Sequence, residues 1–267
     1  MLIALCSAKG APGVTTSALA LALSWPRPVI LAELDPAGGD VLAGYGRGET
    51  SAGGLADLAL AARRGGTSRH LDSQLLRLDS EGRARLLPGL ADPASARHID
   101  WDRLAAALVA VEDGAIDVVA DVGRLRAEHF PGAVLHRAAA VVLATGSTLR
   151  GVRSATQAVA ELRERDACPG MLGALVIGPG EPYGEREISE ALGVPVVGSL
   201  PRDEKAAVVL SDGAPAGRLF AQSALLRAAR TIANRLVESV AVHQSRMAPP
   251  PAHVPASAIA TRGSRVR

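Results

Sequence analysis

The sequence predicts a doubly wound α/β fold, a mostly parallel sheet with helices on both faces. Three observations carry that prediction. Apolar runs of strand length recur along the chain, among them Leu2–Leu5, Val29–Leu34, Ile116–Ala120 and Ala138–Ala144. Between them lie helical patterns of roughly 10–15 residues, the rhythm of strands joined by right-handed helical crossovers. Aromatic residues make up only 2% of the chain, so the core must be built from alanine, valine and leucine.

The first strand, Leu2–Leu5, runs into Cys6-Ser7-Ala8-Lys9-Gly10-Ala11-Pro12-Gly13-Val14-Thr15-Thr16, and an alanine/leucine-rich helix follows from Ser17. Pro28–Leu34 is a short buried strand that opens into Asp35-Pro36-Ala37-Gly38-Gly39-Asp40. That loop places a carboxylate at a strand's C-terminal end, where ligands sit in open α/β sheets. Residues 41–66 are glycine-rich with a short helical pattern over 55–60. Residues 67–98 predict one or two short strands and a loop ending at Pro88-Gly89.

The spacing of Leu104, Leu108 and Val111 predicts a helix over 99–111, with Asp100 as its N-cap. The strand Ile116–Ala120 ends at Asp121-Val122-Gly123-Arg124, and Ala138–Ala144 ends at Thr145-Gly146-Ser147. A helix over 149–165, a strand over 172–177 ending at Gly178-Pro179, a helix over 185–192 and a strand over 194–198 come next. Leu200-Pro201-Arg202-Asp203 then leads into a helix from Glu204, and a long helix over about 217–242 closes the domain. We expect one domain over residues 1–243 and a disordered proline-, alanine- and arginine-rich tail over 244–267.

Composition excludes several classes of function. Two cysteines, Cys6 and Cys168, are too few for a disulfide framework and read as reduced core thiols. No stretch reaches the roughly 18 apolar residues of a membrane span, and the N-terminus has no signal-peptide pattern. A cytoplasmic protein is the expectation. Net charge is only +2, so overall electrostatics single out no partner. His98, His129 and His136 lack metal-ligand spacing, and no Ser/His/Asp set has a nucleophile-elbow signature. Only Lys9 and Lys205 are lysines, against 27 arginines. A position that merely needs a cation is usually arginine here, which makes Lys9 informative.

The order of strand, small-residue loop and helix start makes an anion cradle, because loop N–H groups and the helix N-terminus converge on one point. Three loops leave strand ends in the order expected of a P-loop nucleotidase: residues 7–16, the Asp35 loop and the Asp121 loop. In that arrangement the Thr15 hydroxyl holds Mg²⁺ and Asp121 holds a magnesium-bound water. Asp35 orients the attacking water or the metal, and the Gly123 N–H meets the γ-phosphate.

KGAPGVTT resembles the deviant Walker A motif, KGGxGKTT, of the ParA/MinD family of dimeric ATPases. LAELDPAGGD resembles that family's first switch, with Glu33 and Asp35 at its two acidic positions. VVADVGR resembles its Walker B stretch, and LGVPVVGSLPRDEKAAVVLSDGAP its C-terminal segment near the adenine. The likeness extends to about residue 240. It implies ATP and Mg²⁺ as ligands, a nucleotide-dependent homodimer, and a role in positioning or partitioning a chromosome or plasmid, the septum, or a pilus or secretion apparatus. It also implies a protein partner from such a system. Lys9 becomes the signature lysine that reaches the other subunit's phosphates. Nucleotide contacts fall to Lys9, Gly10, Ala11, Pro12, Gly13, Val14, Thr15, Thr16 and Gly123, with Gly178, Pro179, Pro201, Arg202 and Asp203 around the base. Lys9, Asp35 and Asp121 carry the chemistry.

Two departures bear on activity. Val14 stands where the family has the lysine that grips the β- and γ-phosphates, removing a contact worth about 1.5–3 kcal/mol. That corresponds to about one to two decades of affinity. The asparagine that reads the adenine after the 172–177 strand is replaced by Gly178-Pro179. The expected function is therefore a dimer switch with weakened hydrolysis. The alternatives are a catalytically dead scaffold of the same fold or an ATP-dependent biosynthetic enzyme. Arginines on the 149–165 and 217–242 helices suit contacts to DNA phosphates without sequence preference. Residues 247–267 are too proline-broken to anchor the chain on a membrane.

Overall fold

The computed structural model describes residues 1–9, 13–51, 53–65, 67–111, 116–180 and 182–247. Among them the sheet has eight strands: β1 (Leu2–Ser7), β2 (Val29–Glu33), β3 (Leu76–Arg77), β4 (Ala84–Leu87), β5 (Asp117–Arg124), β6 (Ala140–Gly146), β7 (Met171–Ile177) and β8 (Val196–Leu200). Their order is β3-β4-β2-β5-β1-β6-β7-β8, and every neighbouring pair is parallel except β3 with β4. The doubly wound, mostly parallel architecture is the one the sequence predicts.

The period-2 alternation of β1 divides the core. Leu2, Ala4 and Cys6 face one layer, and Ile3 and Leu5 face the other. The first layer holds α2 (Leu55–Arg63), α3 (Thr67–Gln74), α4 (Trp101–Ala110), α5 (Gly132–Arg137), α6 (Leu149–Glu164) and α7 (Glu185–Leu192). The second holds α1 (Val14–Leu23), α8 (Glu204–Asp212) and α9 (Ala224–Met247). With Leu2, Ile3 and Leu5 fully buried between layers, each gains about 1.5–3 kcal/mol from burial. Asp117, at the start of β5, accepts from the Trp25 indole and Arg27 Nε at 2.8 Å and from the Met1 amine at 2.7 Å. These bonds tie the α1–β2 connection to the sheet's central strands.

Several expectations shift. Residues 67–98 begin with a helix, α3, before the two short strands β3 and β4, and α5 was not foreseen. Strands expected over 138–144 and 194–198 start two residues later, at Ala140 and Val196. The final helix starts at Ala224 rather than near residue 217 and continues through Met247. Of the expected tail, residues 248–267 lie outside the described residues. No helix among the described residues is long and apolar enough to cross a membrane.

Candidate functional site

The sheet order brings the C-terminal ends of β1, β2 and β5 side by side, and the candidate residues stand there. In register, Glu33 of β2 lies beside Asp121 of β5, and Asp121 lies beside Leu5 of β1. The β1–β5 ladder then shifts, since Ser7 pairs with Arg124 rather than Gly123. The extra residue is a β-bulge, a device that re-aims side chains at strand ends. Gly123 takes φ +69° there, a backbone conformation that favours glycine.

Thr15 sits in the first turn of α1, whose N-cap Gly13 is left-handed at φ 88°. From that turn the Thr15 hydroxyl donates to Asp121 Oδ2 at 2.5 Å. The other carboxylate oxygen, Oδ1, accepts the Gly123 N–H at 3.0 Å. That N–H, expected to meet a γ-phosphate, is thus turned onto Asp121. The Asp35 carboxyl lies directly over Gly123, where a Cβ would collide with its carbon and both oxygens. Asp35 also accepts the Ala37 N–H at 2.8 Å, an Asx turn that fixes its loop.

Asp121 is 2% exposed. Burial, foremost, pushes its carboxyl up to about 7, and the nearby Asp35 and Glu33 carboxylates push the same way. The Thr15 hydroxyl and Gly123 N–H oppose that rise without cancelling it. A group whose negative charge is this disfavoured gains from an adjacent cation. Hydroxyl and carboxylate oxygens are the hard donors Mg²⁺ prefers, so Thr15, Asp121 and Asp35 fit that ion.

Glu33, named by the sequence only as the first acidic position of its loop, has a different place. Its carboxylate is buried and accepts the N–H groups of Asp40 and Val41 at 2.8 Å on Oε1 and of Gly89 at 3.2 Å on Oε2. It clamps the Asp35 loop onto the turn after β4, where Gly39 and Gly89 meet so closely that a Cβ on either would strike the other's backbone. Burial raises its carboxyl above the ordinary range, and the three N–H donors pull it back. With those oxygens occupied, Glu33 positions the loop and Asp35 is left to face the site.

Val14 is 7% exposed and packs in the α1-side core, so the helix turn below the cradle is apolar. Gly10, Ala11 and Pro12 lie outside the described residues. Thr15 and Thr16 open on a recess of about 400 Å³ walled by Asp40, Val41, Gly44 and the end of α8. Around the expected base site, Gly178 donates to the Leu200 carbonyl at 2.8 Å and its carbonyl accepts the Ser147 hydroxyl at 2.6 Å. Arg202 lies across Gly178, leaving no room for a Cβ, while Pro179 is exposed and Pro201 half-buried. Asp203 is committed elsewhere: one oxygen caps α8 through Ala206 N at 3.2 Å, and the other accepts Leu225 N at 3.4 Å. Thr15, Asp35, Asp121 and Gly123 thus form one constellation, and Gly178 and Arg202 a second. Lys9 belongs to neither, for it is exposed and lines a separate recess with Arg126, Arg150 and Arg153.

No protein-family model matches the chain, and no curated protein is similar to it in sequence. Its fold is nevertheless that of known proteins. A ParA family ATPase from Chlorobium tepidum TLS superposes with a TM-score of 0.72 at 20% identity, over 88% of this chain and 98% of that one. The MinD cell division protein of Aquifex aeolicus gives 0.71 at 17% identity, over 89% and 97%. MinD from Pyrococcus horikoshii OT3, in complex with Mg-ADP, gives 0.69 at 17% identity, over 91% and 98%. At these identities the likeness establishes the fold.

Proposed function

We propose that this chain is a cytoplasmic ATP-dependent dimer switch that positions or partitions a cellular assembly, with hydrolysis weakened by Val14. One observation carries the reading: the Thr15–Asp121 hydrogen bond with Asp35 poised over Gly123, at the strand ends where P-loop proteins hold magnesium and phosphate. The ParA- and MinD-type fold supports it, as does the horikoshii protein, which binds Mg-ADP in the same architecture.

On this reading Thr15 and Asp121 would hold Mg²⁺, Asp121 through a water. When bound, the ion supplies neutralisation of phosphate charge. Asp35 orients the attacking water, and the backbone around Gly13 and Thr16 cradles the phosphates. Lys9, exposed beside the cradle, reaches a second copy of the chain and its nucleotide. Arg202 over Gly178 supplies a planar cation against which a base can stack.

Lys9→Ala tests the switch. Light scattering with Mg-ATP is expected to show dimers in the wild type and monomers in the variant, with equal melting temperatures. Equal dimer content in both proteins would overturn the reading. A specific observation favours a second one: Val14 is a packed core residue, so the helix start presents no side-chain cation among the described residues where the phosphates would sit. A catalytically dead scaffold would bind a partner in the same dimer or monomer state whether or not ATP is present, and would release no phosphate.

A further inference from the structure

Beside the carboxylate cluster stands a group of four cations with little to neutralise them. Lys9 after β1, Arg126 after β5, and Arg150 and Arg153 of α6 surround one recess of about 440 Å³. All four are exposed. Among the described residues, Lys9, Arg150 and Arg153 make no ion pair. Arg126 reaches Glu161 at 3.5 Å, but that carboxylate also holds Arg165 at 3.0 Å. Among the described residues a single acid, Glu161, therefore serves the rim of the cluster.

Local physics disfavours this arrangement. Arg150 and Arg153 are i,i+3 neighbours, so like charges share one helix face. Arg150 stands in the first turn of α6, where a cation opposes the helix dipole and no acidic residue offsets it. Helix α7 shows the opposite arrangement. It carries Glu185 and Glu187 in its first turn, and Arg186 pairs with Glu190 at 2.9 Å. A cluster that costs stability when empty is relieved when an anion fills it.

The shape of the recess selects the anion. It is concave, and Leu149 stands at its lip with 66% of its surface exposed. At about 440 Å³ the recess is too small to admit a duplex, whose phosphates would reach these cations only from the rim and would leave Leu149 uncovered. Carboxylate side chains fit guanidinium forks one by one, and the residues between them can cover Leu149. We infer that the recess between Lys9, Arg126 and the start of α6 is the docking site for an acidic segment of a partner protein, with an apolar residue of that segment on Leu149. This deepens the proposed function by giving the partner a chemistry, and it rests on that reading only for the partner's role, since the contact itself needs no nucleotide.

The test is fluorescence anisotropy without nucleotide at about 0.1 M salt. The probes are a labelled glutamate-rich peptide with interspersed leucines, its glutamine counterpart and a labelled DNA duplex. The proteins are the wild type, Arg150→Glu/Arg153→Glu, and Arg227→Glu/Arg230→Glu, which makes the same charge change on α9. The acidic peptide is expected to bind the wild type and the α9 variant alike, and at least about tenfold more weakly to the α6 variant. The glutamine peptide is expected not to bind. Absence of acidic-peptide binding to the wild type would overturn the proposal, as would equal losses in the two variants. Duplex binding tighter than peptide binding and lost only in the α6 variant would overturn it in favour of nucleic acid. ATP titrations on the α6 variant report separately on the nucleotide site.

Discussion

Thr15 and Asp121, 106 positions apart, share a 2.5 Å hydrogen bond that closes the gap between the first helix and the central strand β5. The hydroxyl and the carboxylate that would bracket a metal hold each other in its place. This bond makes Asp121 both the anchor of the α1 turn and the most strongly perturbed carboxyl at the strand ends. Its consequences can be measured without any ligand.

The first concerns pH. Asp121 titrates near 7 in the folded chain and in the ordinary aspartate range when unfolded. Between those values the native state holds the extra proton. Its contribution to stability is thus full at acid pH and is lost as pH rises toward 7. The melting temperature of Asp121→Asn minus that of the wild type should rise between pH 5 and pH 8 in about 0.1 M salt without nucleotide. A flat difference would show that Asp121 titrates normally.

Glu33 gives a second. Glu33→Ala takes the acceptor from three N–H groups, that of Val41 buried and those of Asp40 and Gly89 partly exposed, and a buried one left unpaired costs about 1–3 kcal/mol. Urea denaturation should report a loss of about 2 kcal/mol or more. Glu33→Gln keeps an acceptor for Asp40 and Val41 but faces Gly89 with a donor, so it should fall between. If Glu33→Ala melts like the wild type, the clamp is not formed in solution.

Gly123→Ala is the third. A Cβ at φ +69° costs about 1–2 kcal/mol and displaces the Asp35 carboxyl. Gly132→Ala, where a Cβ meets open space, is the control and should be close to neutral. Equal melting temperatures for the two variants would remove Asp35 from its place over Gly123.

Thiol chemistry supplies the fourth. Cys6 is buried and its thiol is raised well above the ordinary range by burial, while Cys168 is pushed up to about 11, also by burial first. Few thiolates exist at neutral pH, and thiolates are the reactive form. A disulfide reagent at pH 8 should label both slowly in the native chain and within the mixing time in strong denaturant. Fast native labelling of Cys6 would mean that the β1 core opens.

How much of this was legible in the sequence depends on where each signal lies. β1, β2 and β5 were readable because continuous apolar runs mark strands covered by helices on both sides. Helix α7 was placed at its observed ends, Glu185 and Leu192, since acids open it and Gly193 closes it in the left-handed region. Helix α3 was missed because Leu71 is its one apolar residue, too little for a periodic pattern. Part of what fixes it comes from elsewhere: Gln74 accepts the Gly54 N–H, 20 positions away. The loop order led to Thr15, Asp35 and Asp121 through strand ends alone. The Glu33 clamp was not legible, since its third donor, Gly89, is 56 positions distant and only the β2–β4 pairing brings it near. The basic recess was hidden likewise, as Lys9, Arg126 and Arg150 meet only across the order β5-β1-β6.

The central claim is that the Thr15–Asp121–Asp35 cluster serves a nucleotide site blunted by Val14. Calorimetric titration of Mg-ATP into the wild type and Val14→Lys tests it most directly. The account predicts binding by both, about one to two decades tighter in the variant, where a charge-assisted contact is restored. No detectable heat from either protein would contradict it.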